Sequence, residues 1–444
     1  MENKGYRQVN EQVLRTLSFP GKTYWRVVGF LVLSVVFGMV CWGYQLATGI
    51  GASGKNHPVM WALYVTNFVF WIGIAHSGTL ISAVLFLFRA KWRRGISRSA
   101  EAMTIFAVMI AGLFPIIHLG RPWIIYWLLP YPNQRDLWPN FTSPLIFDVF
   151  AVSTYFIVSL LFWYIGLIPD LATARDHVKG PRKKIYGFLS MGWIGTQRQW
   201  HHYGTTYLLL AGLATPLVVS VHSVVSWDFA NIIVPGYHST IFPPYFVDGA
   251  IHSGLAMVLT LLIPLRRIFR FEDLITLKDL ENIAKTLVLT GLFIAYSYTV
   301  EYFMAWYSGN EFERQLYHFR ATGHYGYLFW TMVFCNALVP LLLFSKRIRT
   351  NIRWLFGISI IINIGMWLER FVIVVGSMTQ DFLPYQWGFY RVTWVDGGIM
   401  FASFCLFFLL FILFAKFLPS VSMNEIKEGL PPPLRMRKEA PLAG

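Results

Sequence analysis

Apolar residues in this chain gather into ten long runs separated by short polar and aromatic connections. They cover Tyr24–Ala47, Val59–Phe88, Ser99–Leu119, Pro144–Ile168, Tyr203–Val225, Pro243–Ile268, Ile283–Tyr307, Tyr325–Phe344, Trp354–Gly376 and Val395–Leu418. Each is about the 20 residues that a helix needs to cross a bilayer core. The pattern predicts an all-α polytopic membrane protein with ten transmembrane helices.

Charge orients these spans. Of 37 Lys and Arg residues, 30 fall on the N-terminus, alternate connections and the C-terminal tail. Six fall on the opposite connections (Lys55, Arg121, Arg135, Arg314, Arg320 and Arg391), and only Arg370 lies inside a span. The positive-inside rule then places both termini in the cytoplasm. The net charge of +15 and pI near 9.7 would also suit nucleic acid, but short basic loops between apolar spans are orientation signals and contacts for anionic lipid headgroups, so nucleic acid is not an expected partner. With 56% apolar and 13% charged residues, little chain is left for a soluble domain. The first 23 residues are polar and basic and show no signal peptide, so the first span is expected to stay as an anchor.

Two stretches repeat. Ile74-Ala75-His76-Ser77-Gly78 in span two matches Ala250-Ile251-His252-Ser253-Gly254 in span six, and Gly112-Leu113-Phe114 in span three matches Gly291-Leu292-Phe293 in span seven. The offsets of 176 and 179 residues nearly agree. They predict two parallel-repeat four-helix bundles plus two flanking helices, the copies being parallel because four is an even number of crossings. The expected divisions are 1–58 (N-terminus and first span), 59–225 (first bundle), 226–376 (second bundle) and 377–444 (outer loop, tenth span and tail). The stretch FEDLITLKDLEN has apolar residues at helical spacing and is expected along the membrane surface. The aromatic connections Trp227–Phe242 and Ser377–Thr393 are expected as interface anchors or as a docking surface, and Pro431-Pro432-Pro433 as a disordered extension.

Charged groups inside spans are costly and therefore candidates for function. His118 ends span three and Asp148 lies one turn into span four, so a short connection brings both to one depth near the outer face. An imidazole and a carboxylate at opposite ends of a slot suit the two oxygens of a quinol and its protons; a helix cap and a carboxylate in headgroup water are the plainer alternative. Arg121, just beyond His118, is an accessory candidate. In the second bundle, Asp248 and His252 share a helical face, Glu301 and Glu369 lie in the outer thirds of spans seven and nine, Asp396 opens span ten, and His76 sits near the middle of span two. Together with Arg370, which needs a buried partner such as Glu369 or Glu301, they form a candidate proton path. The embedded histidines His76, His118, His222 and His252 sit at unequal depths, with His118 and His222 both towards the outer face, which disfavours paired haem ligation. No C-x-x-C motif occurs, and Cys41, Cys335 and Cys405 read as apolar packing residues.

The run HSGTLISAVLFLFRAKWRRGISRSAEAMTIFAVMIAGLFPIIHLGRPW (His76–Trp123) resembles the NrfD/PsrC-like (polysulfide reductase-type) membrane subunits of quinol-oxidising complexes, above all the larger such subunit of alternative complex III. SPLIFDVFAVSTY (Ser143–Tyr155), LAGLATPLVVSVHSVVSWDFA (Leu210–Ala230), TIFPPYFV (Thr240–Val247) and NIGMWLERFVIVV (Asn363–Val375) extend the likeness over nearly all ten spans. The resemblance implies a respiratory subunit without haem, flavin or metal of its own. It binds menaquinol near the periplasmic face of the first bundle and passes electrons to a periplasmic iron–sulfur subunit and on to multihaem cytochrome c subunits, beside a second NrfD-like membrane subunit. The family's quinol positions map onto His118 and Asp148, and its candidate proton-moving acids onto Glu301, Glu369 and Asp396; Asp248 and His252 match no family position firmly. A secondary transporter would share repeats and midplane charges, but the span prolines Pro115, Pro216, Pro264 and Pro340 do not pair at the repeat offset. A purely structural anchor for peripheral redox subunits would not need His118 and Asp148 at one depth.

Overall fold

The computed structural model describes residues 5–129 and 143–431. Arg135, the basic residues of the far C-terminal tail and Pro432-Pro433 lie outside them. Ten helices are long and apolar enough to cross a membrane. Spans one to five are Lys22–Thr48, Ala62–Leu87, Ser97–His118, Pro144–His177 and Gln197–Ala230; spans six to ten are Phe242–Ile268, Leu277–Tyr307, Gly326–Phe344, Ile352–Gly376 and Trp394–Phe417. The chain is a multi-pass membrane protein, and no strand occurs among the described residues.

Spans four and five are longer than their apolar runs, at 34 residues each. At 1.5 Å per residue they reach about 51 Å, well beyond a hydrocarbon core of about 30 Å. The stretch Pro169–Trp200, left between the fourth and fifth apolar runs, is therefore largely helical and not a long connection. Span four continues through Pro169 to His177, and span five starts at a capping box between Thr196 and Gln199, which satisfies the first free N–H groups. FEDLITLKDLEN is not a surface helix either. Phe271, Leu274 and Ile275 are fully buried in a turn, and Thr276 and Asp279 then cap the start of span seven. The apolar spacing reported burial against protein, not against lipid.

Span two is the centre of the molecule. Its apolar stretch is 83% buried, whereas that of span one is 28% buried and faces outward. Span two packs on spans three and six. The two repeated motifs meet there: a side chain on Gly254 would strike Ser77 and the Ile74 carbonyl, and one on Gly73 would touch Ser253 and Ala250. Small residues let these backbones approach, as membrane helices require. Spans two, eight and nine each contain a π-helical turn, at Leu80–Val84, Phe334–Leu338 and Val372–Gly376. Such turns interrupt the i→i−4 ladder and re-aim side chains. The one in span eight carries Asn336 into the core, and the one in span nine leaves the Val374 carbonyl to accept the Tyr237 hydroxyl at 2.6 Å.

At the basic face, a buried ionic network joins spans three, four and five to the segment after span ten. Arg93 meets Glu425 at 3.1 Å, and Arg98 meets Glu101 at 2.9 Å and Asp170 at 3.4 Å. Tyr207 donates its single proton within this cluster, 3.1 Å from both Glu101 and Glu425. Glu425 also accepts from Ser97 at 2.7 Å, so the residues after span ten are part of the bundle's closure.

Candidate functional site

His118 is the last residue of span three and half-buried at the face opposite the basic loops. Its Nδ1 lies 2.9 Å from the Nζ of Lys55, on the connection between spans one and two. Lys55 is itself buried, with its ammonium 4.0 Å from the centre of the Tyr64 ring. Burial pushes the Lys55 pKa down to about 7, while the negative charge of Asp396 opposes the fall. Asp396 opens span ten as a cap, accepting from the Thr393 N–H at 2.8 Å and its hydroxyl at 3.0 Å. Tyr64 is hydrogen-bonded to Gln45, whose amide donates to the Ile117 carbonyl at 3.2 Å. Spans one, two, three and ten thus hold His118 from one side.

Asp148 is the fifth residue of span four and is buried, with Oδ1 unpartnered. Its neighbour is Asp228, in the last turn of span five, also buried with Oδ1 unpartnered. The two carboxyl groups interact with each other. A hydrogen bond between two carboxyl groups requires one of them to hold a proton, because two bare carboxylates repel at that range. Among the described residues no hydrogen bond or ion pair joins His118 directly to Asp148. The expected pair is thus resolved into two sets, Lys55–His118 and Asp148–Asp228, on antiparallel spans that pack together at the same face. Arg121 is exposed beside His118, and among the described residues no ion pair joins it to Asp148.

The expected proton path divides. His76 is fully buried and donates from Nδ1 to the Ile72 carbonyl at 2.5 Å. Its ring stacks on Tyr155 at 5.0 Å and meets the edge of His222 at 4.7 Å. His222 therefore sits inward, against His76, and not near the end of its span where sequence placed it. Nε2 of His76 and both ring nitrogens of His222 are buried without partners. Phe246 separates this cluster from Arg370: its ring centre lies 5.9 Å from that of His222 and 4.5 Å from the guanidinium. Arg370 approaches Glu369 to 2.9 Å, but off the hydrogen-bond direction, so the contact is an ion pair without a directed bond. The other oxygen of Glu369 accepts from Tyr298 at 2.5 Å and from Asn336 at 3.5 Å.

Glu301, one turn from Tyr298, accepts from the Tyr317 hydroxyl at 3.3 Å. Tyr317 belongs to a short helix, Glu311–Thr322, that covers this end of the second bundle and was not foreseen. Arg320 on the same helix lies over the Tyr317 ring and donates to Ser377 at 2.7 Å. Asp248 is half-buried on the Glu369 side of span six, with Oδ2 unpartnered. His252 is held by Thr290 of span seven at 2.7 Å, and among the described residues it joins neither Asp248 nor Glu369 by a hydrogen bond or ion pair. Asp396 does not cluster with Glu301 and Glu369. It belongs with Lys55 near His118, because the residues between spans one and two fold over the start of span ten.

Lys55 and Asp228 are the residues that sequence reasoning missed. Lys55 counted only as an outer-loop charge, and Asp228 fell just past the apolar run of span five. Among the described residues no group of three or more His, Cys, Asp or Glu is placed to hold a metal.

A family model, polysulphide reductase NrfD, matches residues 51–381, which contain Lys55, the histidines and the acidic groups of the site except Asp396. The chain belongs to the NrfD family. Three relatives of this NrfD chain bear the names of oxidoreductase subunits. A putative dimethyl sulfoxide reductase membrane subunit from Halobacterium salinarum is 28% identical, over 77% of this chain and 74% of that one. A selenate reductase subunit from Mesobacillus selenatarsenatis is 22% identical, over 80% and 82%. The Hdr-like menaquinol oxidoreductase integral membrane subunit of Archaeoglobus fulgidus is 22% identical, over 80% of each.

Proposed function

We infer that this NrfD chain is the menaquinol-binding membrane subunit of a quinol:acceptor oxidoreductase of the alternative complex III type, oxidising its substrate near the periplasmic face of a bacterial inner membrane. One observation carries the reading. A histidine bonded through one ring nitrogen and a buried carboxyl pair with unpartnered oxygens stand on antiparallel spans at the face opposite the basic loops. Oxidising a quinol to a quinone releases two protons and two electrons. The His118 ring is positioned to take one proton at Nε2, with Lys55 governing whether that nitrogen is free. The Asp148–Asp228 pair takes the other, since a pair sharing one proton has a second basic site. Both sets lie at the ends of their spans, so discharge to water needs no transit of the core. The electrons leave to a partner iron–sulfur subunit docked on the same face and pass on to multihaem cytochrome c subunits. The membrane part is completed by a second NrfD-like protein.

Proton movement through the second bundle belongs to the same proposal. Glu369, Tyr298 and the Glu301–Tyr317 contact lead to the same outer face as His118, and the unpartnered nitrogens of His76 and His222 lie on the other side of Arg370. The test is turnover by the assembled complex. His118→Ala and Asp148→Asn are each expected to lower quinol:acceptor turnover at least about tenfold, a barrier rise of about 1.4 kcal/mol, with the partner subunits and haem content retained. Normal turnover in both variants would move the quinol away from these spans.

A further inference from the structure

A lateral groove of about 310 Å³ runs between spans four and five. Span four lines it with Phe147, Ala151 and Thr154, and span five with Ser220, Val224 and Trp227. These positions recur at three to four residues on each helix, so the groove follows both helices for about two turns. Phe147, Trp227 and Ser220 are exposed on the surface that faces lipid, whereas Val221, at the groove's floor, is buried in front of His222. Its upper end is set by Phe147 and Trp227. Each is followed directly by one member of the carboxyl pair, Asp148 and Asp228, which meet between the same two helices.

We propose that this groove is the entry and seat of the quinol's polyisoprenoid tail, so that the substrate reaches its site sideways from the bilayer between spans four and five. The proposal rests on the quinol reading above. A quinol has a neutral, hydrogen-donating ring at one end of a linear run of apolar isoprene units. The groove has a matching order: next to its end, one residue beyond Phe147 and Trp227, stand the buried Asp148 and Asp228, each with Oδ1 unpartnered, and a wall without charge runs inward from there. A phospholipid acyl chain matches the wall but not the end, because its phosphate would sit against carboxyl groups that repel it. The small side chains Ala151, Thr154 and Ser220 leave room for the chain. Their helices are held together elsewhere by larger contacts, such as the Phe162–Tyr207 stack at 4.4 Å.

The experiment uses the intact complex and two substrates: menaquinol with a long isoprenoid tail, and menadiol, which has the ring and no tail. Ser220→Trp and, independently, Ala151→Leu fill the groove from its two walls without touching the carboxyl pair. Each is expected to raise KM for the long-tailed quinol about tenfold, to change KM for menadiol less than twofold, and to leave kcat for both unchanged. Equal changes for both substrates, or none for either, would overturn the tail assignment. So would loss of a bound phospholipid from the Ser220→Trp complex with long-tail kinetics intact. Asp148→Asn run alongside separates the two levels of the argument. It lowers turnover of both substrates if the ring site is right, and its failure to do so indicts the ring site while the tail discrimination is read independently.

Discussion

Replacing Lys55 by Arg should abolish a pH dependence that the proposed site owes to one proton. While Lys55 is an ammonium it can only donate, so His118 must accept at Nδ1, 2.9 Å away, and carry its own proton on Nε2. In that state Nε2 cannot take a proton from quinol. Once Lys55 is neutral its amine can accept from an Nδ1–H, and Nε2 becomes a free base. Burial sets this exchange at about pH 7, against the ordinary lysine value of 10.5. With that midpoint, about 9% of Lys55 is neutral at pH 6 and about 91% at pH 8, so the competent fraction rises about tenfold, equivalent to roughly 1.4 kcal/mol of barrier. Arginine stays charged throughout. The wild-type complex should therefore show kcat/KM for quinol rising about tenfold from pH 6 to pH 8, and Lys55→Arg should stay flat and below the wild-type pH 6 level. The stability effect has a definite sign as well. Between about pH 7 and 10.5 the unfolded chain holds the Lys55 proton and the folded one does not. Burying this lysine therefore costs most below about pH 7, and the cost is relieved as pH rises through that window. The reasoning is refuted if Lys55→Arg keeps the wild-type slope, or if the wild type itself is flat, as steady-state kinetics with a fixed acceptor would show.

Glu301→Gln and Glu369→Gln should spare assembly and change the number of protons released per quinol, read with a pH indicator in vesicles; unchanged stoichiometry and turnover in both would make the Glu369–Tyr298 and Glu301–Tyr317 contacts structural only. Gly78→Ala places a methyl group against Thr104 and the Ala100 carbonyl of span three, and backbone cannot yield as a side chain does, so a loss of about 1–3 kcal/mol is expected, seen as a lower thermal midpoint in detergent. Reporter fusions after Arg94 and Arg347 should read cytoplasmic and one after Gly309 periplasmic; a periplasmic signal at Arg94 would invert every face assignment made above.

The ten crossings, their alternation and the short helix–helix connections were legible in the linear chain, because a bilayer demands about 20 apolar residues per crossing whatever the neighbours are. The resemblance of His76–Trp123 and four later stretches to the NrfD subunits was equally local, and the family match over residues 51–381 agrees with it. His118 and Asp148 could be named because depth follows from position in a span. Their partners could not. Lys55 stands 63 residues before His118 and Asp228 stands 80 after Asp148, and no periodicity links such positions. Asp396 went to the wrong cluster for the same reason: hydropathy gives a residue's depth but not its angle around the bundle, and that angle is set by which helices pack together. Spans two, six and nine are about as apolar as spans one and five, yet the first three are mostly buried in protein and the last two mostly face lipid. Lipid and protein interior are equally apolar solvents, so composition does not distinguish them. Tertiary packing alone decided which histidines touch, which carboxyl groups lie side by side, and where a groove opens to the membrane.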